Sequence, residues 1–317
     1  LCACLDGDLA AVSECLHRGD DPNMTAGGHF PLKCAASEGH LRVVELLVER
    51  GANFCQMDDS NLTAMAAAAS YGYIDVVKTL LGISERRAAG HSSDGRSMAL
   101  YKAIANGHPN TAELLLDHGA CVDTRNTSGD GGLTPIMAAA ISPMSPQLLA
   151  AVSLALGRGA DVNAVNLRGY TPLHLAVSNN EPELVDLFLD HGANIEARDR
   201  RGRTPLLMAC DYGNERAAIR IMSRGARLDV KDNDDLSPIG HAVLCAHPII
   251  LKSLLDKGVS PQGVLPDGRI YVDALAAAGP SPRSAECMAV LQAARNRCLI
   301  GDVIASTARP NNRSRRS

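Results

Sequence analysis

Cysteine and histidine have the widest chemical range of any residues in this 317-residue chain, so their spacing is the first question. Ten cysteines stand at positions 2, 4, 15, 34, 55, 121, 210, 245, 287 and 298, with no CxxC pair and no Cys/His grouping at zinc-finger spacing. The close pair in "CAC", Cys2 and Cys4, falls short of the four ligands of a structural zinc, so no metal site is expected. Unclustered cysteines read as free thiols in a reducing compartment. There is no GxxxxGK[ST] phosphate loop, no HExxH zinc helix and no GxSxG nucleophile elbow. No two carboxylates sit at a spacing that suggests paired acid–base work. The expectation is no catalytic residue and no cofactor, although a site gathered from distant residues stays open.

The elements that would position any such site must come from an unusual core. Hydrophobic residues make up 46% and charged residues 21%, but there is no tryptophan, and only three phenylalanines and six tyrosines. Thin helices in close approach suit that composition better than a conventional aromatic-rich interior. A net charge of -4 and a pI near 6.2 give no overall pull toward nucleic acid or acidic membranes. No apolar run reaches the roughly 18 residues of a membrane span, and no secretion signal is visible. "NMT", "NLT", "NTS" and "NRS" then match the glycosylation pattern by chance, and the expected location is cytoplasmic or nuclear. The first residue is Leu1 rather than Met, which suggests a fragment or a trimmed chain.

The chain repeats itself. Gly159, Gly192, Gly225 and Gly258 are spaced 33 residues apart, and Gly19, Gly51 and Gly119 precede them. A fixed period of this kind marks stacked repeats, each unable to bury its apolar faces alone. The unit is clearest in "RGYTPLHLAVSNNEPELVDLFLDHGANIEARD", from Arg168. Thr171 caps a helix and Pro172 fits its first turn. Leu173 and Leu175 are apolar, and Ala176 lets a neighbouring helix lie close. Asn179 and Asn180 break the helix, and Pro182 starts a second one with Leu184, Val185, Phe188 and Leu189 at helical spacing. Gly192 takes the left-handed conformation that ends it, and "ANIEARDRRG" forms an extended finger with a turn.

The phrases "TPLHL" and "DHGANIEARD" resemble the ankyrin repeat. Related cores recur as "FPLKCAA" from Phe30, "LTAMAAAA" from Leu62, "LTPIMAAA" from Leu133, "RTPLLMAC" from Arg203 and "LSPIGHAV" from Leu236, with weaker copies from Ser97 and Val272. Eight repeats plus a partial N-terminal one, ending at "HRGDDPN", cover residues 1–295. The resemblance implies an all-α fold: an ankyrin-repeat solenoid of stacked helix-turn-helix units with short β-hairpin-like fingers, curved so that fingers and first helices form the concave side. It gives His174 a hydrogen-bonding structural role. His241 and Cys34 occupy the slot of Leu175 and Met208, so His241 reads as a satisfied core residue and Cys34 as a small hydrophobe.

The period is irregular between about 82 and 158. "ISERRAAGHSSDGR" replaces the finger after Gly82, "NTSGDGGL" is an enlarged finger, and "ISPMSPQLLAAVSLALGRG" carries four additional residues, with Ser145 and Pro146 opening a lengthened second helix. Such variation costs little in a surface loop; a hinge or a partner-specific contact is the other reading. Residues 296–317 lose the period and read as a basic, disordered tail.

In the ankyrin family, variable finger and inner-helix positions touch partners. Here they fall at Tyr71, Arg168, Tyr170, Arg200, Arg201, Arg203, Asp211, Tyr212, Asp234, Leu236 and Leu244. Exposed Tyr and Arg are favoured interface anchors. Arg168, Arg201 and Asp234 share one repeat position, with Arg198, Arg200 and Arg203 around the second and Asp229, Asp232 and Asp235 around the third. Neighbouring fingers would set a basic strip beside an acidic one, either as a ladder of weak surface salt bridges or as a surface that selects a partner. The short strip, its acidic neighbour and the missing stacking aromatics argue against nucleic acid. The implied function is a non-enzymatic adaptor or scaffold that binds protein partners, expected to be a monomer. The alternatives are an enzyme using the groove, with His241, His247, Tyr212 and Asp211 near one another, and the targeting fragment of a longer multidomain protein.

Overall fold

The computed structural model describes residues 1–87, 95–126, 131–279 and 281–307. Among the described residues the chain forms eighteen α-helices and no strand. The β-like character of the fingers is limited there to three single bridges, Ala26–His29, Asn126–Leu133 and Val264–Ile270. The helices gather into two compact units: Leu1–Leu175 with Leu187–Ala193, and Ala176–Asp186 with Asn194–Ser317.

In the first unit α1 (Cys2–Asp6) pairs with α2 (Leu9–His17), and α3 (Pro31–Ser37) with α4 (Leu41–Glu49). Next come α5 (Ala64–Ser70) with α6 (Ile74–Arg87), α7 (Arg96–Ala105) with α8 (Pro109–Asp117), and α9 (Pro135–Ala140) with α10 (Pro146–Gly157). First helices pack on first helices and second on second, as the repeat pattern requires. The pair α11 (Pro172–Ser178) and α12 (Pro182–Asp190) contributes residues to both units. The second unit repeats the pattern with α13 (Pro205–Tyr212) and α14 (Glu215–Ser223), α15 (Pro238–Leu244) and α16 (Pro248–Asp256), and α17 (Tyr271–Ala277) and α18 (Pro282–Thr307).

Small side chains make this packing possible. In α5 the residues Ala64, Ala66, Ala68 and Ala69 are fully buried, and α9 reads "PIMAAA". Alanine allows helix axes to approach toward the lower end of the 8–10 Å range. The second helices bury one apolar stripe, as Val43, Val44, Leu47 and Val48 do in α4. Thr63, Thr204 and Ser237 cap their helices, accepting from the N–H groups of Ala66, Leu207 and Gly240 at 3.2–3.4 Å. Adjacent pairs are then locked: Asn214 Nδ2 donates to the carbonyls of Val177 and Ser178, and Asn180 Oδ1 accepts from Ala217 N.

The irregular region resolves in part. Ser145 caps α10 by accepting from Leu148 N at 3.0 Å, and α10 runs twelve residues, as its sequence suggested. The replaced finger after Gly82 begins as helix, because α6 continues to Arg87; residues 88–94 and 127–130 lie outside the described residues. At the other end α18 continues past residue 295 to Thr307, which corrects the expected start of disorder at 296. Residues 308–317 lie outside the described residues. All ten cysteines are free thiols. Burial pushes the thiols of Cys4, Cys34, Cys210, Cys245 and Cys287 up, that of Cys287 to about 11. Among the described residues no helix is long and apolar enough to cross a membrane.

Candidate partner-binding fingers

Four loops share one backbone plan: residues 58–62, 166–170, 199–203 and 232–236. Each ends just before the Thr or Ser that precedes a first helix. In all four, the first N–H donates to the fifth carbonyl at 3.0–3.1 Å, and the fourth N–H donates to the first carbonyl at 2.9–3.2 Å. The first side chain, Asp58, Asn166, Asp199 or Asp232, accepts from the N–H groups of the third and fifth residues at 2.8–3.0 Å. The fourth residue is left-handed: Asn61 at φ 59°, Gly169 at 78°, Gly202 at 72° and Asp235 at 61°. Glycine, Asn and Asp are the residues that enter this region at least cost. Four hydrogen bonds thus close each loop, and the side chains of the second and third residues take no part in them. Those residues are Asp59-Ser60, Leu167-Arg168, Arg200-Arg201 and Asn233-Asp234.

In the second unit the loop side chains join a buried charge chain. Asp199 Oδ2 accepts from Arg203 Nε at 2.9 Å, and Arg203 Nη1 donates to Asp211 Oδ2 at 2.7 Å. His241 Nδ1 lies 3.5 Å from Asp211 Oδ1, and its Nε2 lies 2.8 Å from Asp232 Oδ2. The Tyr212 ring sits 5.5 Å from the Arg203 guanidinium. Burial acts to lower the Arg203 pKa, but its hydrogen bonds to Asp199 and Tyr212 outweigh that and raise it, so Arg203 is a fixed cation.

The first unit solves the same loop differently. Asp58 Oδ2 accepts from the Lys33 ammonium of α3. Burial pushes the Asp58 carboxyl up, but Lys33 and the N–H groups of Leu62 and Ser60 outweigh it and hold it below the usual carboxylate range.

The expected contact residues separate accordingly. Arg203 was expected at the surface; it is 2% exposed and tied to Asp199 and Asp211, so it builds the loop. Asp211 is half-buried between Arg203 and His241, and half-buried Leu236 supplies the N–H that closes its loop on Asp232. Tyr71, Tyr212 and Leu244 are exposed, as are Arg168, Arg200, Arg201 and Asp234. Tyr170 is half-buried, its ring 6.0 Å from that of His174. His174 is fully buried, with Nδ1 2.9 Å from Thr171 Oγ1. Tyr71, Arg168 and Tyr170 belong to the first unit and the others to the second.

Hydrogen bonds to backbone carbonyls, not a salt-bridge ladder, join the charged fingers of the second unit. Asn233 N donates to the Arg201 carbonyl at 2.9 Å, and Asn233 Nδ2 donates to the Arg200 carbonyl at 3.2 Å. Arg198 Nη1 donates to the carbonyls of Gly202 and Lys231 at 2.6 and 2.8 Å. Asp229 pairs with Arg227 and Asp235 with Lys231. Among the described residues no ion pair joins Arg200 or Arg201 to Asp234.

The residues of the enzyme reading come together only in part. His241 is 6% exposed, with both ring nitrogens facing carboxylates, so the ring has no nitrogen to offer a substrate. His247 packs instead on the Gly213 turn, where an added β-carbon would lie 2.3 Å from its ring. Among the described residues no grouping of three or more His, Cys, Asp or Glu could hold a metal ion. The loop-closing acceptors escaped sequence reasoning, yet Asn166, Asp199 and Asp232 are 33 residues apart, each followed at the third place by Gly or Asp.

Comparison with known proteins agrees with the repeat. A model of three ankyrin repeats matches residues 1–88 and 144–232, and a single ankyrin repeat matches 98–127, together more than half of the chain. The chain is 31% identical over 164 residues to E3 ubiquitin-protein ligase XBAT33 of Arabidopsis thaliana, covering 51% of this chain and 29% of that protein. It is 32% identical over 119 residues to a Transient receptor potential cation channel subfamily A member 1 homolog of Caenorhabditis elegans, covering 38% of this chain and 10% of the relative. With the human Ankyrin repeat and KH domain-containing protein 1 the identity is 36% over 99 residues, covering 31% and 4%. The match spans less than a third of the length of each of these relatives.

Proposed function

The chain belongs to the ankyrin-repeat family, and from that premise we propose that it is a non-enzymatic protein-interaction module, an adaptor or scaffold. One observation carries the reading: four loops keep the same hydrogen-bonded frame while their two outward residues differ in charge and size. A held backbone with variable side chains loses little order when it binds, which favours affinity. The proposed contact residues are Tyr71, Arg168 and Tyr170 in the first unit, and Arg200, Arg201, Tyr212, Asp234 and Leu244 in the second. The proposed partners are proteins, met by a monomer in the cytoplasm or nucleus, with no role for nucleic acid. The names of the relatives span a ubiquitin ligase and a cation channel, so neither of those activities is carried over to this chain.

The test is affinity capture from native lysate with the wild type and with Arg168, Arg200 and Arg201 changed to Ala. Arg203 is left intact because its loss would disturb the fold. Circular dichroism checks that the variant is folded. Specific capture by the wild type and loss by the variant support the reading; capture of no protein by the wild type overturns it.

A further inference from the structure

We infer that the adjacent fingers 199–203 and 232–236 recognise an extended peptide segment that carries a carboxylate and a cation about three residues apart. The inference rests on the protein-interaction reading and names the chemistry of the partner.

The buried network sorts the charges of this region into two sets. Asp199 spends Oδ1 on the N–H groups of Arg201 and Arg203 and Oδ2 on the Arg203 side chain. Asp211 is held by Arg203 and faces His241, and Asp232 is held by its own loop and by His241. Asp235 pairs with Lys231, and Arg198 spans two carbonyls. Three charged side chains are left over: Arg200, Arg201 and Asp234 are exposed and, among the described residues, have no side-chain partner. They occupy the two outward positions of neighbouring fingers.

Chance solvation would leave mobile ends, but these charges stand on a braced backbone. The Arg200 and Arg201 carbonyls both accept from Asn233, and Arg198 bridges to Lys231 from the other side. The backbones that carry opposite charges are thereby held together, and among the described residues no ion pair joins those charges. A partner that satisfies both must offer the opposite pair, an acid for Arg200-Arg201 and a base for Asp234. Neighbouring repeats are separated by a helix-packing distance of about 8–10 Å, which an extended chain covers in about three residues. Asp234 disfavours a polyanion, so a nucleic acid or a run of phosphates fits the pair less well than a bipolar peptide. Charge complementarity of this type sets the choice of partner more than raw affinity.

The test is selection of a phage-displayed random dodecapeptide library on the full chain, repeated on Arg200→Glu/Arg201→Glu and on Arg200→Glu/Arg201→Glu/Asp234→Lys. The wild type is expected to enrich peptides with Asp or Glu about three residues from Lys or Arg. The double variant should bind those peptides at least tenfold more weakly. The triple variant should recover them, because the peptide can lie in the reverse direction. Circular dichroism of all three proteins checks folding. Enrichment of purely acidic or uncharged peptides, unchanged binding by the double variant, failure of the triple variant to recover binding, or no enrichment each overturns the inference. Lysate capture that survives the double variant overturns the finger assignment while leaving the protein-interaction reading in place.

Discussion

The loop at Asp58 in the first unit and the loop at Asp199 in the second have one backbone and two chemistries. Both use a buried aspartate to gather two N–H groups of the loop, and both place a left-handed residue fourth. At Asp58 the second carboxylate oxygen takes a lysine from the preceding helix pair. At Asp199 it takes an arginine from its own loop, which reaches on to Asp211. The outward residues are Asp59 and Ser60 in one, Arg200 and Arg201 in the other. The difference separates what makes a finger from what a finger says: a charge at the fifth position or on the preceding helix belongs to the fold, and a charge at the second or third faces outward.

The largest effect that could break this comparison is at Asp199. Asp199→Ala takes one of two carboxylates from a buried guanidinium and leaves its Nε and two backbone N–H groups without their acceptor, and the cost expected for breaking such a pair is about 3–5 kcal/mol. Urea denaturation of the two proteins measures it, and a loss below about 1 kcal/mol would mean that the network is incidental. Asp58 sharpens the point through pH. Its carboxyl lies below the usual range when folded, so its stabilisation is full above the unfolded value near about 3.9 and is lost as pH falls through the folded value. Asp58→Asn keeps an acceptor for the loop but loses the Lys33 ion pair. Its urea midpoint should therefore fall less steeply than that of the wild type when pH is lowered to about 3, although it starts lower at neutral pH.

A smaller effect separates two threonines in equivalent places. Thr204 caps α13, and its loss in Thr204→Ala should cost about 1 kcal/mol. Thr134 precedes α9 with a buried hydroxyl that has no partner among the described residues, so Thr134→Val should be neutral or stabilising by up to about 1 kcal/mol. Thermal melts of both variants check the contrast. The smallest effect is expected at the tips. Arg200→Ala/Arg201→Ala should change stability by no more than about 0.5 kcal/mol, and a larger loss in urea would show that the tips belong to the frame.

Much of this organisation is legible in the sequence. The 33-residue period, the Thr-Pro starts, the Asn179-Asn180 break and the Ser145-Pro146 opening of a longer helix are short-range signals, and the helices follow them. Arg203 was misplaced because its neighbours Arg200 and Arg201 have the same charge and lie two and three residues away. Only the reach of Asp199 and Asp211 across the loop pulls one arginine inward and leaves the others out. His241 was legible as a core residue, but its two carboxylate neighbours come from residues nine and thirty positions distant, a pairing that no local pattern encodes. At the C-terminus the polar, basic composition hid a helix that runs on to Thr307.

The left-handed fourth residue has a consequence for how these four loops can change over generations. Adding or deleting one residue slides a different side chain into that position and moves the acceptor away from its two N–H groups at the same time. Substitution at the second and third residues disturbs neither. Descendants of such a loop can therefore diversify freely by exchange of letters but hardly at all by change of length, and new specificities would arise one side chain at a time within a ruler of constant size.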